Sequence, residues 1–148
     1  MTIILLASSS GGHWKQLLLV SPAFDACERH FATTKGGYGV AFGADRFTRL
    51  PEGSRWDKLG LIKLAWAAFR LVRRVRPDVV VSTGAAPGLV VIFFGKLFGA
   101  RTIWIDSIAN VDQVSLSGLL CRPFADVWLT QWPHLAREGG PEYQGSVL

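Results

Sequence analysis

The chain has 148 residues, long enough for one domain with a sizeable core, and is 49% hydrophobic but only 18% charged. Its formal net charge of +5 favours anionic partners such as phosphates or an acidic lipid surface. Nucleic acid is disfavoured, because there is no zinc spacing, recognition-helix pattern or basic tail. The two cysteines, Cys27 and Cys121, lack metal-ligand spacing and read as buried thiols of a reducing compartment.

The first strand is Thr2–Ala7, "TIILLA", without the charged flank or length of a signal peptide. A helix follows from Trp14 to about Phe24. "RHFATT" and "RFTRL" are weaker strand candidates, and residues 35–57 carry so little pattern that they are expected to include a mobile loop. Lys58 to Arg76 reads as a helix that Pro77 stops just after a basic last turn. Then come a strand at Val79–Val81, a helix from Gly88 to about Phe98, and a strand at Thr102–Ile105. A helix from about Leu116 to Phe124 and a strand at Val127–Thr130 complete the pattern. The longest apolar run, "LVVIFF", falls well short of the roughly 20 residues that span a bilayer.

Continuous apolar strands imply a parallel sheet covered on both faces. Their alternation with helices implies right-handed crossovers and a doubly wound α/β domain over residues 1–148. In such a sheet ligands bind beyond the carboxyl ends of the strands, and four loops converge there. "SSSGGH" (8–13) can bring backbone amides and a helix N-terminus to an anion. It is not GxGxxG and no Lys follows at the P-loop spacing, so a nucleotide fingerprint is disfavoured. Ser10, Gly11 and Gly12 are its phosphate-binding candidates. His13 can be a general base on an acceptor hydroxyl, or simply a capping or hydrogen-bonding histidine.

"STGAAPG" (82–88), with Thr83 and Gly84, repeats the strand–turn–helix arrangement and suits either packing or ligand approach. "IDSIANVDQVSLSG" (105–118) supplies Asp106, Ser107, Asn110 and Ser115. Asp106 is placed to orient a sugar hydroxyl, polarise His13 or act as base, and Ser115 either binds ligand or caps a helix. In "TQWPHL" (130–135), Trp132 is either a shelf for a sugar ring or a core aromatic. Lys63, Arg70 and Arg74, bordered by Trp66, share one stripe of the Lys58–Arg76 helix, which suits an anionic membrane or plain solvent. The opposite face, with Leu61, Leu64, Ala68, Leu71, Val72 and Val75, is core-like. No GxSxG elbow or metal cluster supports a self-sufficient hydrolase.

These segments resemble a known family in order and spacing: "SSGGH", "RVRPDVVVSTGAAPG", "IDSIANVDQVSLSG", "ADVWLTQWPHL" and the closing "YQGSVL". It is the acceptor-side, membrane-anchoring subunit of the two-part UDP-N-acetylglucosamine transferase of dolichol-linked oligosaccharide assembly, with bacterial PssD-like relatives in polysaccharide biosynthesis. The resemblance implies a Rossmann-like domain corresponding to the N-terminal half of a GT-B glycosyltransferase, similar to the lipid-acceptor half of MurG enzymes. It implies a polyprenyl-pyrophosphate-linked sugar as acceptor, a separate UDP-sugar-binding catalytic subunit as partner, inverting transfer, and no cofactor. Gly11, Gly12 and His13 match the family's Gly-Gly-His loop, and Gly84 its second small-residue loop. Asp106 falls where relatives often carry Glu, and Asn110 where they often carry Arg.

The family's N-terminal anchor is not seen ahead of the first strand. Lys63, Trp66, Arg70 and Arg74 are therefore expected to hold the protein peripherally at the cytoplasmic face of the inner membrane. The chain is also expected to stop where a single-chain enzyme would cross to its second domain. An alternative keeps the fold without the chemistry: a non-catalytic adaptor that docks the catalytic partner at the membrane.

Overall fold

A computed structural model describes residues 1–37, 46–54 and 56–147. Seven strands form one parallel sheet: β1 (Ile3–Ser8), β2 (Glu28–Thr33), β3 (Phe47–Arg49), β4 (Val79–Gly84), β5 (Arg101–Ile105), β6 (Val127–Thr130) and β7 (Glu142–Tyr143). Their order is β3-β2-β1-β4-β5-β6-β7. The order reverses between β1 and β4, so the crevice of a doubly wound sheet opens beyond the ends of those two strands. Among the described residues four helices cover the sheet: α1 (Gly12–Val20), α2 (Lys58–Val75), α3 (Ala85–Leu97) and α4 (Leu116–Cys121).

Alternation along β1 divides the core. Leu5 and Ala7 join Leu64, Leu71, Val80, Val91, Ile92 and Trp104 on the side of α2 and α3. Ile4 and Leu6 join Trp14, Leu17, Phe31, Val81 and Ile105 on the side of α1. Burial on both faces explains why β1 and β4 read as unbroken apolar runs.

Each helix boundary has a local cause. Asp57 caps α2, its carboxylate accepting from Gly60 N at 2.9 Å. Arg76 closes that helix in the left-handed region at φ 52°, where the following Pro77 disfavours another helical turn. The first helix ends earlier than the sequence suggests, because Ser21–Phe24, with Pro22 in its first turn, winds as a 3-10 turn. Arg122–Phe124 does the same beyond α4. The third helix starts three residues before the expected Gly88, since Pro87 in a first turn has no intrahelical N–H bond to forfeit. It also lies hard against β4: a Cβ on Gly88 would meet Ser82 Oγ at 1.8 Å, and one on Gly95 would meet Val80 Cγ2 at 2.5 Å.

The two weaker strand candidates are β2 and β3, whereas β7 has no counterpart in the sequence reading. β4 runs three residues past its expected end and carries an irregularity: Ala7 pairs with Ser82 but Ser8 pairs with Gly84. Thr83 is thereby the extra residue of a bulge, a device that turns groups out of a ladder. The loop expected within 35–57 lies outside the described residues at 38–45 and 55.

Candidate acceptor site

The bulge at Thr83 meets the first turn of α1. Thr83 O accepts from His13 Nδ1 at 3.0 Å, and Thr83 Oγ1 donates to His13 O at 2.6 Å. A carbonyl can only accept, so Nδ1 carries a proton, and in the neutral form of the ring Nε2 presents a lone pair. That nitrogen has no protein partner among the described residues. Gly84 makes room for the ring, since a Cβ there would lie 2.3 Å from His13 Nδ1. Gly84 also holds φ 144° and ψ 174°, a region nearly reserved for glycine. Thr83 and Gly84, expected at the ligand, also seat His13.

Ahead of His13, Ser9 N donates to Gly84 O at 3.3 Å and Ser10 N to Thr34 Oγ1 at 3.3 Å, fixing the loop to β4 and to the end of β2. Gly11 is the N-cap of α1 at φ 81°, with no side chain capping that end. Both Gly11 and Gly12 face open space. Gly84 in turn is the N-cap of α3, again without a side-chain cap. Two helix N-termini, each with unfilled amides and partial positive charge, therefore start from neighbouring loops. Beside them lies a cleft of about 670 Å³, its walls formed by Ser9, Ser10, Ala86, Pro87, Leu89 and Leu116 among others. No lysine or arginine lines it among the described residues. Glu52 and Asp57 also line it, so the charged side chains on its described walls are acidic.

Asp106 is 1% exposed and accepts four hydrogen bonds. Oδ1 accepts from Trp104 Nε1 at 3.1 Å and Ser115 Oγ at 2.6 Å, while Oδ2 accepts from Asn110 Nδ2 at 3.2 Å and Ser115 N at 2.9 Å. The partner of the His13 ring is thus the Thr83 carbonyl and not Asp106. The carboxylate instead gathers the loop 106–115 around itself. Of the two roles open for Ser115, the structure shows the cap: its Oγ accepts from Gly118 N at 2.9 Å. The glycine of "SLSG" is needed because a Cβ on Gly118 would lie 2.9 Å from Asp106 Oδ1. Ser107 Oγ accepts from Gln16 Nε2 at 3.0 Å and Ala109 N at 3.1 Å.

Trp132 is half-buried, and its Nε1 donates to Ile108 O at 2.7 Å, pinning the same loop to the end of β6. Sequence reasoning missed Thr34, Gln16 and Gln131, which fasten these loops from behind. Thr34 closes the "RHFATT" strand beside the first loop. Gln16 sits one turn past His13 and Gln131 just before Trp132, but each is an ordinary polar residue until the fold buries it.

Lys63, Trp66, Arg70 and Arg74 are all exposed on α2, opposite buried Leu64, Ala68, Leu71 and Val72. The apolar border is wider than Trp66, itself 60% exposed: Trp56 is 82% exposed, Ile62 66% and Leu59 63%. Trp66 stacks on Phe69 with ring centroids 5.6 Å apart. Arg74 Nη2 donates to Thr48 Oγ1 at 2.6 Å. No described helix is long and apolar enough to cross a membrane.

Residues 58–147 match the model of a family described as "Oligosaccharide biosynthesis protein Alg14 like". The chain is 38% identical over 88 residues to a UDP-N-acetylglucosamine transferase subunit ALG14 of Yarrowia lipolytica, covering 55% of this chain and 41% of that protein. It is 30% identical over 91 residues to the human subunit of that name, covering 56% and 42%. The chain spans less than half the length of these curated relatives. Among solved structures, Acinetobacter baumannii MurG superposes with a TM-score of 0.77 at 14% identity, covering 97% of this chain and 45% of MurG. UDP-N-acetylglucosamine 2-epimerase of Rickettsia bellii gives 0.72 at 12%, covering 99% and 45%. These structural likenesses establish the fold: the doubly wound, Rossmann-like domain of GT-B proteins, as the sequence implied.

Proposed function

The chain belongs to the Alg14-like family of oligosaccharide biosynthesis proteins, and from that premise we propose that it is the acceptor-side subunit of a split, inverting glycosyltransferase. Its acceptor is a sugar linked to a polyprenyl pyrophosphate. A separate chain brings the donor, for which UDP-N-acetylglucosamine is the first choice because the relatives are named for it.

His13 carries the reading. Its Nδ1–H is held by Thr83 O, and its Nε2 meets no partner among the described residues. In the proposed reaction Nε2 takes the proton of the acceptor hydroxyl as that oxygen attacks the anomeric carbon of the donor sugar. The glycosyl bond to UDP breaks, UDP leaves with the electron pair, and the imidazolium remains beside a carbonyl that orients it. The pyrophosphate of the acceptor lies against the open loop at Ser10, Gly11 and Gly12. Ser107, Asn110 and Trp132 border the sugar, and Asp106 with its cap Ser115 keeps that border in shape. Replacing His13 by alanine should lower turnover about 10²-fold or more in the reconstituted pair. Wild-type turnover with partner binding retained would favour a docking adaptor.

The exposed face of α2 is proposed to rest on the cytoplasmic surface of an anionic membrane. Lysine and arginine heads meet the lipid phosphates there, and Leu59, Ile62 and Trp66 enter the interface. Changing Lys63, Arg70 and Arg74 together to glutamine should release the protein from anionic liposomes in flotation. Unchanged flotation would remove this part of the proposal.

A further inference from the structure

Two buried glutamines lie behind the loop that follows β5. Gln16 is 6% exposed and sits one turn beyond His13 on α1, while Gln131 is 3% exposed and follows β6. A buried primary amide is costly unless its donors and acceptor are met. Here the two amides meet each other and the loop. Gln16 Oε1 accepts from Gln131 Nε2 at 2.7 Å and from Ile108 N at 3.1 Å. Its Nε2 donates to Ser107 Oγ at 3.0 Å. Gln131 Nε2 also donates to Asp106 O at 3.0 Å, and its Oε1 accepts from Val147 N at 3.1 Å. Backbone partners fix both amide orientations, because an N–H can only donate and a carbonyl can only accept.

The helix bearing His13 and the loop bearing Asp106, Ser107 and Asn110 therefore share one satisfied network. An apolar side chain at either position would leave Ile108 N–H, Asp106 C=O or Val147 N–H unpaired, so the bridge fixes where the loop sits against α1. We infer that Gln16 and Gln131 are positioning residues. They set the distance and angle between His13 Nε2 and the loop that borders the acceptor sugar, so that the reacting hydroxyl meets the base. This inference rests on the acceptor-side reading above. It adds the two residues that hold the halves of that site in register. Neither touches the acceptor. Their effect passes through His13 and the 106–110 loop.

The test uses Gln131→Met and Gln16→Glu in the reconstituted pair, with acceptor titrated at saturating donor. Methionine keeps the length of glutamine but removes the amide. The expected result is a fall in kcat of about tenfold or more with acceptor KM changed by less than about threefold, as for a misplaced base. Amide hydrogen exchange over residues 107–111 should quicken by about tenfold, while β4 and α3 stay protected. Glutamate at position 16 restores the bonding: its oxygens accept from Ile108 N–H and Gln131 Nε2, and the Ser107 hydroxyl turns to donate. Gln16→Glu should stay within about threefold of wild type in both readouts. If Gln131→Met fails to fold, Gln16→Met repeats the experiment from the other end of the bridge. Unchanged kcat despite a faster-exchanging loop would overturn the inference, as would Gln16→Glu impaired like the methionine variants. Absence of transfer by the wild-type pair would sink the acceptor-side reading itself, and the inference with it.

Discussion

Replacing Gly84 by alanine tests the seat of the imidazole. The new Cβ would lie 2.3 Å from His13 Nδ1 and 2.6 Å from Cε1. Carbon contacts settle near about 3.5 Å, so the ring must retreat by about 1 Å. That breaks the 3.0 Å bond to Thr83 O and frees the tautomer. A misplacement of that size at a reacting group costs about 10²-fold in rate. The backbone adds its own cost, because an alanine at φ 144° and ψ 174° is strained by about 1–3 kcal/mol. The assay is sugar transfer in the reconstituted pair, with urea unfolding of each variant alongside.

The double variant with His13→Ala separates the causes. Once the ring is gone, Gly84→Ala should lower turnover no further, and its remaining destabilisation should be the backbone strain alone. Full multiplicative loss of rate in the double variant would refute the reasoning. So would an undiminished rate in Gly84→Ala itself.

Two further outcomes follow from burial. Asp106→Asn with the new NH2 in place of Oδ2 turns an acceptor into a donor that faces two donors, Asn110 Nδ2 and Ser115 N, losing two of four bonds in a site 1% exposed. Urea unfolding should show a loss of about 3 kcal/mol, and a loss below about 1 kcal/mol would deny the carboxylate its role as hub of the loop. Burial also pushes the Cys121 thiol up to about 12, whereas Cys27 is half-buried. Iodoacetamide at pH 8 should label Cys27 alone in the native protein and both cysteines in denaturant, because only a thiolate reacts. Equal native labelling of both would contradict the packing around α4.

The doubly wound sheet was legible because strands buried on both faces, as β1 and β4 are, have to be written as unbroken apolar runs. The loops at the carboxyl edge were legible for the same reason, standing out as small and polar residues between such runs. What individual loop residues do was less legible. Thr83 and Gly84 look like a ligand loop in sequence, but the bulge that turns them to His13 arises from pairing with β1, a strand about 75 residues away. Gly88 and Gly118 look the same as Gly84, although the first brings α3 against β4 and the second admits Asp106. Gln16 and Gln131 gave no local signal, since their network exists only after three segments distant in sequence come together. β7 is two residues long, too short for any period to register. Lys63, Arg70 and Arg74 were placed correctly on the exposed side of α2 because an 18-residue helix fixes its faces by period alone.

The division of labour between two chains is the central claim, and one incubation tests it most directly. The purified protein is given radiolabelled UDP-N-acetylglucosamine and a polyprenyl-pyrophosphate-linked sugar, with and without lysate of a host strain lacking this gene. Label should reach the lipid only when both the protein and the lysate are present, and His13→Ala should abolish most of that transfer. Transfer by the purified protein alone would mean that it binds the donor as well, and would contradict the account.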